Sequence, residues 1–414
     1  MAVLKGAAIF GQSGGPTSVI NASAAGVFTE ALKQDCITKV YGMAHGIKGA
    51  LDEQFYDMSQ EDLETFELMK TTPSSALGSV RYKLAKAEDD DTDYKRLLEV
   101  FKKYDIRYFF YNGGNDSMDT CNKISKYMQK SGYEMRVMGV PKTIDNDLFG
   151  TDHCPGYGSA AKYIATSTME VYLDARVYDK GMVTILEIMG RNAGWLTAAA
   201  QLATIKGCGP DLIYLPEKPF DLDDCMNKVA EIYKKNKNCI IAVSEGIKDK
   251  DGKYISEYGT DLAQQKDSFG HAQLGGLAAT LANFAKQKTG AKVRGIEFSL
   301  LQRCSAHLGS KTDVEESFRA GQEAVKAAVS GVTDHMVAFE RDMSSGSYVC
   351  NTKLLNLSEV ANTEKTVPLS WIKDDDSGLT QDFIDYALPL IQGESCPPMV
   401  DGTPKFAHLK KVLV

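Results

Sequence analysis

Two acidic residues beside a lysine form the most distinctive group of reactive side chains in this sequence. Asp145 and Asp147 lie two residues apart within residues 141–147, and Lys142 precedes them. A carboxylate near a substrate hydroxyl can take its proton during phosphoryl transfer. A neighbouring cation can stabilise the charge that develops on the transferred group. The pattern therefore points to phosphoryl transfer, although an Asp-Asn-Asp run without the lysine would equally suit a structural turn.

Two glycine-rich segments could bring an anion close to the backbone. Residues 11–17 read Gly-Gln-Ser-Gly-Gly-Pro-Thr, and residues 112–117 read Asn-Gly-Gly-Asn-Asp-Ser. Such glycines let backbone N–H groups approach an anion at the start of a helix. The first segment matches neither GxGxxG nor GxxxxGK[ST] and would also suit an ordinary turn. In the second, Asn115 and Asp116 could offer oxygen ligands to Mg²⁺, or Asp116 or Ser117 could simply cap the next helix.

Short apolar segments precede these loops and are predicted to be the strands that position them. The predicted strands are residues 7–10, 108–111, 137–140, 182–188, 212–215, 240–243 and 336–339. Several are apolar at consecutive positions, as in strands buried on both faces of a parallel sheet. Helices are predicted between them, including 117–130 and one that opens with a capping box at 312–315 and ends before Gly331. This order is typical of doubly wound α/β sheets, which bind ligands beyond the carboxyl ends of their strands.

Composition narrows the class of protein. The 414 residues exceed one typical domain, and 43% are hydrophobic. A net charge of -8 argues against general nucleic-acid binding. Nine cysteines without a CxxC pattern suit a reducing compartment better than a disulfide framework. With no apolar run near the roughly 20 residues of a membrane helix, a cytoplasmic α/β enzyme is expected.

The ordered motifs resemble the bacterial-type 6-phosphofructokinases. The resemblance rests on residues 113–117, 141–147 and 189–191 and extends over about 5–345, and the further matching segments are 77–81, 244–246 and 302–303. It implies two doubly wound, Rossmann-like α/β lobes with a cleft between them. The expected phosphoryl-donor lobe is 1–156 plus about 302–350; the expected sugar-phosphate lobe is 157–301 plus about 351–414, which includes a C-terminal extension.

The resemblance also implies roles for individual residues. Asp145 would be the general base for the sugar 1-hydroxyl, and Asp147 would support the same site and a magnesium ion. The residues expected at the sugar or its phosphate are Thr143, Ile144, Met189, Gly190, Arg191, Glu245, Arg294, Leu300 and Arg303. Those expected at the phosphoryl donor are Gly15, Arg81, Gly114 and Ser117, and Asn115 occupies the family's magnesium position.

Two positions bear on the identity of the donor. ATP-dependent members normally carry glycine at the places of Asp116 and Lys142, whereas the pair in this chain resembles the pyrophosphate-dependent branch. A carboxylate at position 116 would project where the α-phosphate of ATP should lie, and Lys142 could neutralise the leaving phosphate of the shorter donor. The resemblance thus implies reversible, magnesium-dependent transfer from pyrophosphate to fructose 6-phosphate, which yields fructose 1,6-bisphosphate and phosphate.

Other functions stay open at this point. An ATP-dependent kinase on the same fold would prefer ATP in turnover, and a non-catalytic sugar-phosphate-binding regulatory subunit would bind without turnover.

Asn115 is a neutral and weaker magnesium ligand than the aspartate more usual in the pyrophosphate branch. Leu300 replaces a histidine or tyrosine, so a longer ketose phosphate such as sedoheptulose 7-phosphate could also fit. The family forms dimers and tetramers with sites completed across an interface, and a homodimer is expected.

Overall fold

The computed structural model describes residues 3–258, 276–360 and 364–414. The strands are β1 Gly6–Gln12, β2 Ile37–Met43, β3 Phe55–Asp57, β4 Ile106–Gly113, β5 Arg136–Pro141, β6 Met182–Ile188, β7 Leu212–Tyr214, β8 Asn238–Ser244, β9 Val293–Glu297, β10 His335–Asp342, β11 Val349–Asn356, β12 Met399–Val400 and β13 Thr403–Pro404. The α-helices are α1 Ile20–Ala31, α2 Ile47–Leu51, α3 Leu63–Met69, α4 Thr92–Lys103, α5 Asn115–Lys130, α6 Tyr157–Ala175, α7 Trp195–Ala198, α8 Leu222–Asn236, α9 Leu277–Thr289, α10 Leu301–Cys304, α11 Lys311–Val329, α12 Leu357–Val360 and α13 Gln381–Ala387. Short 3₁₀ turns lie at Met58–Gln60, Ala199–Lys206, Ile255–Tyr258, Ala306–Leu308, Leu369–Trp371 and Leu388–Ile391.

The strands form two main sheets. The larger has seven strands in the order β11-β10-β5-β4-β1-β2-β3, and the smaller has four in the order β7-β8-β6-β9. Pairing is parallel except for β2 with β3 and β10 with β11, at the two edges of the larger sheet. Strands β12 and β13 form a separate hairpin. The expected α/β fold with two open, mostly parallel sheets is confirmed.

Each sheet is covered on both faces, as a doubly wound fold requires. In β1, Ala7 and Ile9 pack into one core cluster, and Ala8 and Phe10 pack into another on the opposite face. Side chains in the smaller sheet alternate between faces in the same way, since neighbouring residues of β6 and β8 pack into two different core clusters. Because successive side chains of a strand point to opposite faces, the continuous apolar runs in the sequence are explained by burial on both sides.

The seven predicted strands all form, with ends that move by up to three residues. The apolar-run criterion does not find the other six described strands, which are β2, β3, β9, β11, β12 and β13. Strands β2, β3, β9 and β11 carry partly exposed residues, so their sequences do not read as buried strands. The capping-box prediction at residues 312–315 is wrong, because it places the N-cap of α11 at Thr312 instead of Ser310. The cap of α11 is Ser310, whose Oγ accepts a hydrogen bond from the Asp313 N–H at 3.4 Å.

The chain passes between the sheets more than once. The larger sheet takes strands from residues 6–141 and 335–356, and the smaller takes them from 182–297. Strand β11 therefore extends the larger sheet past the boundary expected near residue 350. The last residues also return to that sheet, where Leu413 bridges Tyr56. In contrast, residues between Val367 and Leu390 pack into a core cluster of the smaller sheet. Within the described ranges, no helix combines the length and apolar character needed to cross a bilayer.

Candidate active site

Three adjacent parallel strands bring the sequence motifs to one edge of the larger sheet. Strand β4 lies between β1 and β5, with Gln12 opposite Asn112 and Gly113 opposite Pro141. The three strands thus end at the same level. The loops that follow them are the two glycine-rich segments and the acidic segment. All three loops therefore lie beyond the carboxyl ends of the strands, where doubly wound sheets bind ligands.

Lys142 joins the acidic segment to both glycine loops. Its backbone N–H donates to the Gly113 carbonyl at 3.1 Å, and its Nζ donates to the Gly15 carbonyl at 2.7 Å. The side chain is only 4% exposed. Burial lowers the pKa of Lys142 to about 8, against the opposing effect of Asp145 and Asp147. A buried cation is thereby held where the glycine loops face the acidic residues.

Two arginines add positive charge at the first glycine loop. A Cβ on Gly15 would lie 2.9 Å from Arg303 Nη1, so only a glycine permits this approach of the guanidinium without displacement. Arg81 follows a segment docked on the same loop, since Ser79 Oγ donates to the Gly14 carbonyl at 2.6 Å. Burial, followed by the neighbouring charge of Arg81, lowers the pKa of Arg303. Arg81, expected at the donor, and Arg303, expected at the sugar phosphate, therefore lie near the same loop.

The acidic segment is folded by its own side chains. The Asp145 N–H donates to Thr143 Oγ1 at 3.1 Å, and Asn146 adopts a left-handed conformation with φ +56°. Burial raises the pKa of Asp145, which Lys142 and Arg191 oppose. Burial raises the pKa of Asp147 to about 7, with Asp145 adding to the effect. Both carboxyl groups therefore hold a proton more readily than a solvent-exposed aspartate does.

Asn115 and Asp147 present oxygens that suit a hard divalent cation. Asn115 opens α5 after Gly114, and its Nδ2 lies 3.5 Å from Asp147 Oδ2. Its Oδ1 is buried and finds no hydrogen-bond partner among the described residues. An unsatisfied buried amide oxygen beside a carboxylate is the donor set that magnesium accepts. Ser117 packs under Gly113, where a Cβ would lie 2.0 Å from Ser117 Oγ.

The smaller sheet contributes the opposite wall. Strand β6 leads into Met189, whose N–H donates to Gln302 Oε1 at 3.2 Å. Gly190 has φ +143°, and a Cβ there would lie 2.6 Å from the Ala193 carbonyl. Glu245 Oε1 lies 3.5 Å from the Gly190 N–H. Burial, with a smaller effect of Asp145, raises the pKa of Glu245 to about 7. The electrostatic effect of Asp145 on Glu245 places Glu245 near the acidic segment.

Three other expected residues lie at the margin of this group. Ile144 is 7% exposed and packs into a core cluster of the smaller sheet, so its side chain supports the loop. Asp116 is exposed in the first turn of α5. Leu300 is 54% exposed immediately before α10, the helix that carries Arg303.

Arg294 is not brought to the site within one chain, which corrects that expectation. It is an exposed residue of the edge strand β9 and pairs with Thr184. Thr184 lies five residues before Met189, about 16 Å along a strand at about 3.3 Å per residue. Arg294 instead lines a separate cavity of about 390 Å³ with Met182 and Tyr178. The motif match could not give the position of this residue in space.

Sequence reasoning missed a segment near the C-terminus that contacts the acidic loop. The Lys365 N–H donates to the Asp147 carbonyl at 2.8 Å, and Glu364 pairs with Leu148 as an isolated antiparallel bridge. The Tyr386 hydroxyl accepts a hydrogen bond from Asn146 Nδ2 at 2.8 Å. These residues have no motif of their own, and their separation of more than 200 residues from the loop hides the contact.

Comparisons with known proteins agree with this geometry. The family model described as Phosphofructokinase matches residues 7–296. The chain belongs to the phosphofructokinase family. A relative from Halomonas elongata named pyrophosphate–fructose 6-phosphate 1-phosphotransferase is 46% identical over 98% of this chain and 96% of its own length. One of the same name from Methylococcus capsulatus is 43% identical over 98% and 96%.

A solved structure extends the likeness to three dimensions. A pyrophosphate-dependent phosphofructokinase from Marinobacter aquaeolei is 42% identical, covers 99% of this chain and 97% of its own, and has a TM-score of 0.88. The family model ends at residue 296, whereas this likeness continues to the C-terminal residues. The segment that contacts the acidic loop thus belongs to the part of the fold that this phosphofructokinase shares with the solved structure.

Proposed function

We propose that this phosphofructokinase transfers a phosphoryl group from pyrophosphate to the 1-hydroxyl of fructose 6-phosphate, reversibly. The observation that carries the proposal is the buried amino group of Lys142, which lies between the two glycine loops and donates to Gly15. In ATP-dependent members a glycine stands at this position. The lysine fills space at the donor loops and supplies a charge suited to a small, highly charged phosphate donor.

The residues of the chain divide the chemistry between them. Asp145 accepts the proton of the sugar 1-hydroxyl as the hydroxyl oxygen bonds to the transferred phosphorus. The phosphoanhydride bond breaks, and the bond's electron pair leaves with the phosphate product. Lys142 and Arg81 balance the charge on that phosphate. The raised pKa of Asp145 makes it a base able to hold a proton at this point.

Magnesium is proposed as the metal cofactor. Asn115 and Asp147 would hold it, with Asn115 offering the buried Oδ1 that has no partner among the described residues. When bound, the ion would neutralise charge on the oxygens of the donor. The neutral amide makes this a weaker site than one built from two carboxylates, so the enzyme is expected to need more magnesium than a relative with aspartate at this position.

Sugar-phosphate recognition is proposed on the opposite wall. Glu245 would accept hydrogen bonds from sugar hydroxyls, and residues 189–191 would flank the sugar phosphate. Arg303, whose guanidinium lies beside Gly15 at the edge of the donor loop, would hold the 6-phosphate from that side. Arg294 lies about 16 Å from that turn, so we propose that it serves a neighbouring subunit of a homodimer or tetramer. We further propose two lobes, one for each sheet, and a location in the cytoplasm, where the substrates of glycolysis occur.

A direct assay tests this function. The purified chain is incubated with fructose 6-phosphate, pyrophosphate and MgCl₂, and fructose 1,6-bisphosphate and phosphate are measured separately. The proposal predicts that the two products form in equal amounts, that EDTA abolishes the reaction, and that product plus phosphate regenerates pyrophosphate. Binding of fructose 6-phosphate without turnover would instead support a regulatory subunit.

A further inference from the structure

The Asn146 side chain sets the conformation that separates the two catalytic carboxylates. Asn146 is fully buried and has φ +56°, in the left-handed region. Asparagine adopts this conformation more readily than most residues, but at some cost, so surrounding contacts must hold it. Its Oδ1 accepts a hydrogen bond from the Cys154 N–H at 2.9 Å. Its Nδ2 donates to the Tyr386 hydroxyl at 2.8 Å.

Tyr386 is in turn held from several sides. Its hydroxyl donates to the Asp152 carbonyl at 2.7 Å, and its carbonyl accepts from Arg341 Nη2 at 2.8 Å. Its ring packs against Trp195 with a centroid separation of 5.2 Å. A hydroxyl fixed by such contacts is a rigid acceptor for the Asn146 amide.

A second contact holds the other side of the same loop. The Lys365 N–H donates to the Asp147 carbonyl at 2.8 Å. Lys365 Nζ donates to the Asp152 carbonyl at 2.7 Å, the same oxygen that accepts from Tyr386. Lys365 and Tyr386, which both belong to the C-terminal segment (residues 364–391), thus contact the acidic loop and share the Asp152 carbonyl as an acceptor.

We propose that Tyr386 is a positioning residue for phosphoryl transfer: its hydroxyl holds Asn146 in the left-handed conformation that aims Asp145 and Asp147 into the cleft. The C-terminal segment is therefore a brace for the catalytic loop. This inference rests on the proposed function, because the transfer reaction supplies its readout. Tyr386 acts through its hydrogen bond to Asn146.

The first test is Tyr386→Phe, which keeps the ring and removes the hydroxyl. The Asn146 amide then loses its acceptor, and a buried donor without a partner destabilises the conformation that it holds. We expect kcat to fall about five- to thirtyfold, with KM for both substrates changed less than about twofold. The matched control is Tyr94→Phe, because Tyr94 is a buried residue of helix α4 whose hydroxyl donates to the Ala85 carbonyl at 2.5 Å. The control should lower Tm by a similar amount and leave kcat unchanged.

A double-mutant cycle asks whether Tyr386 acts through Asn146. Asn146→Gly retains access to the left-handed conformation and loses both side-chain hydrogen bonds. If the proposal is correct, adding Tyr386→Phe to Asn146→Gly lowers kcat by less than about twofold further. The proposal would be overturned if the kcat losses of the two single variants multiply in full in the double variant. It would also be overturned if Tyr386→Phe keeps a kcat within twofold of wild type. Wild-type turnover in the same assay reports separately on the proposed function. If the double variant does not fold, the comparison of Tyr386→Phe with Tyr94→Phe decides.

Discussion

Replacing Lys142 with methionine removes the buried charge at the donor loops while keeping a side chain of similar length. Burial lowers the lysine pKa from 10.5 to about 8, which corresponds to about 3 kcal/mol spent on holding the ammonium in the site. A bound anion offsets this cost, since unit charges about 4 Å apart attract by up to about 4 kcal/mol at an effective dielectric of about 20. If Lys142→Met loses about 2–4 kcal/mol of this attraction, kcat/KM for pyrophosphate should fall about 30- to 1000-fold.

The assay is the pH dependence of kcat/KM for pyrophosphate in the wild type and in Lys142→Met. A lysine is cationic below its pKa, so the charge that binds the donor is present below pH 8 and is lost as the pH rises through about 8. The kcat/KM of the wild type should fall above that pH, and the kcat/KM of Lys142→Met should show no such fall. Lys126→Met, at an exposed position of α5, is the control. Two results would contradict a role for the Lys142 charge in binding the donor. One is a loss of less than threefold in kcat/KM at pH 7, and the other is a fall in activity above pH 8 that persists in Lys142→Met.

Three further substitutions test other parts of the account. Asp145→Asn should lower kcat about 10²- to 10⁴-fold with little change in KM; near-normal turnover would exclude it as the base. The double change of Asp116 and Lys142 to glycine should weaken pyrophosphate use, and full activity would contradict the donor argument. Burial raises the pKa of Glu187 to about 7, so its ionisation destabilises the fold as the pH rises from about 4.5 through 7. Glu187→Gln should raise Tm by about 2–4 °C at pH 8 and little at pH 5; equal shifts would contradict this.

Much of the site could be predicted because its residues are local in sequence. The 141–147 and 112–117 segments each follow a strand with a continuous apolar run, and parallel strands place such loops at one edge. The strand pattern failed where exposure interrupts it, as in β9, none of whose residues is fully buried. Arg294 on that strand shows the consequence: a motif assigns a role to a residue but not the position of the residue in space.

The C-terminal contacts could not be predicted for a different reason. Tyr386 reaches Asn146 across 240 positions, and nothing in the sequence around either residue indicates the pairing. Lys365 likewise holds the loop partly through its backbone N–H, which every residue except proline has. The brace depends on tertiary packing, so the sequence reveals the residues that react more readily than those that position them.

The ratio of kcat/KM for pyrophosphate to that for ATP tests the central claim most directly. Both donors are compared at saturating fructose 6-phosphate and MgCl₂ and at the same pH. The buried lysine and the carboxylate at position 116 predict a preference for pyrophosphate of at least about a hundredfold, equivalent to about 3 kcal/mol. Equal use of the two donors, or a preference for ATP, would contradict the account.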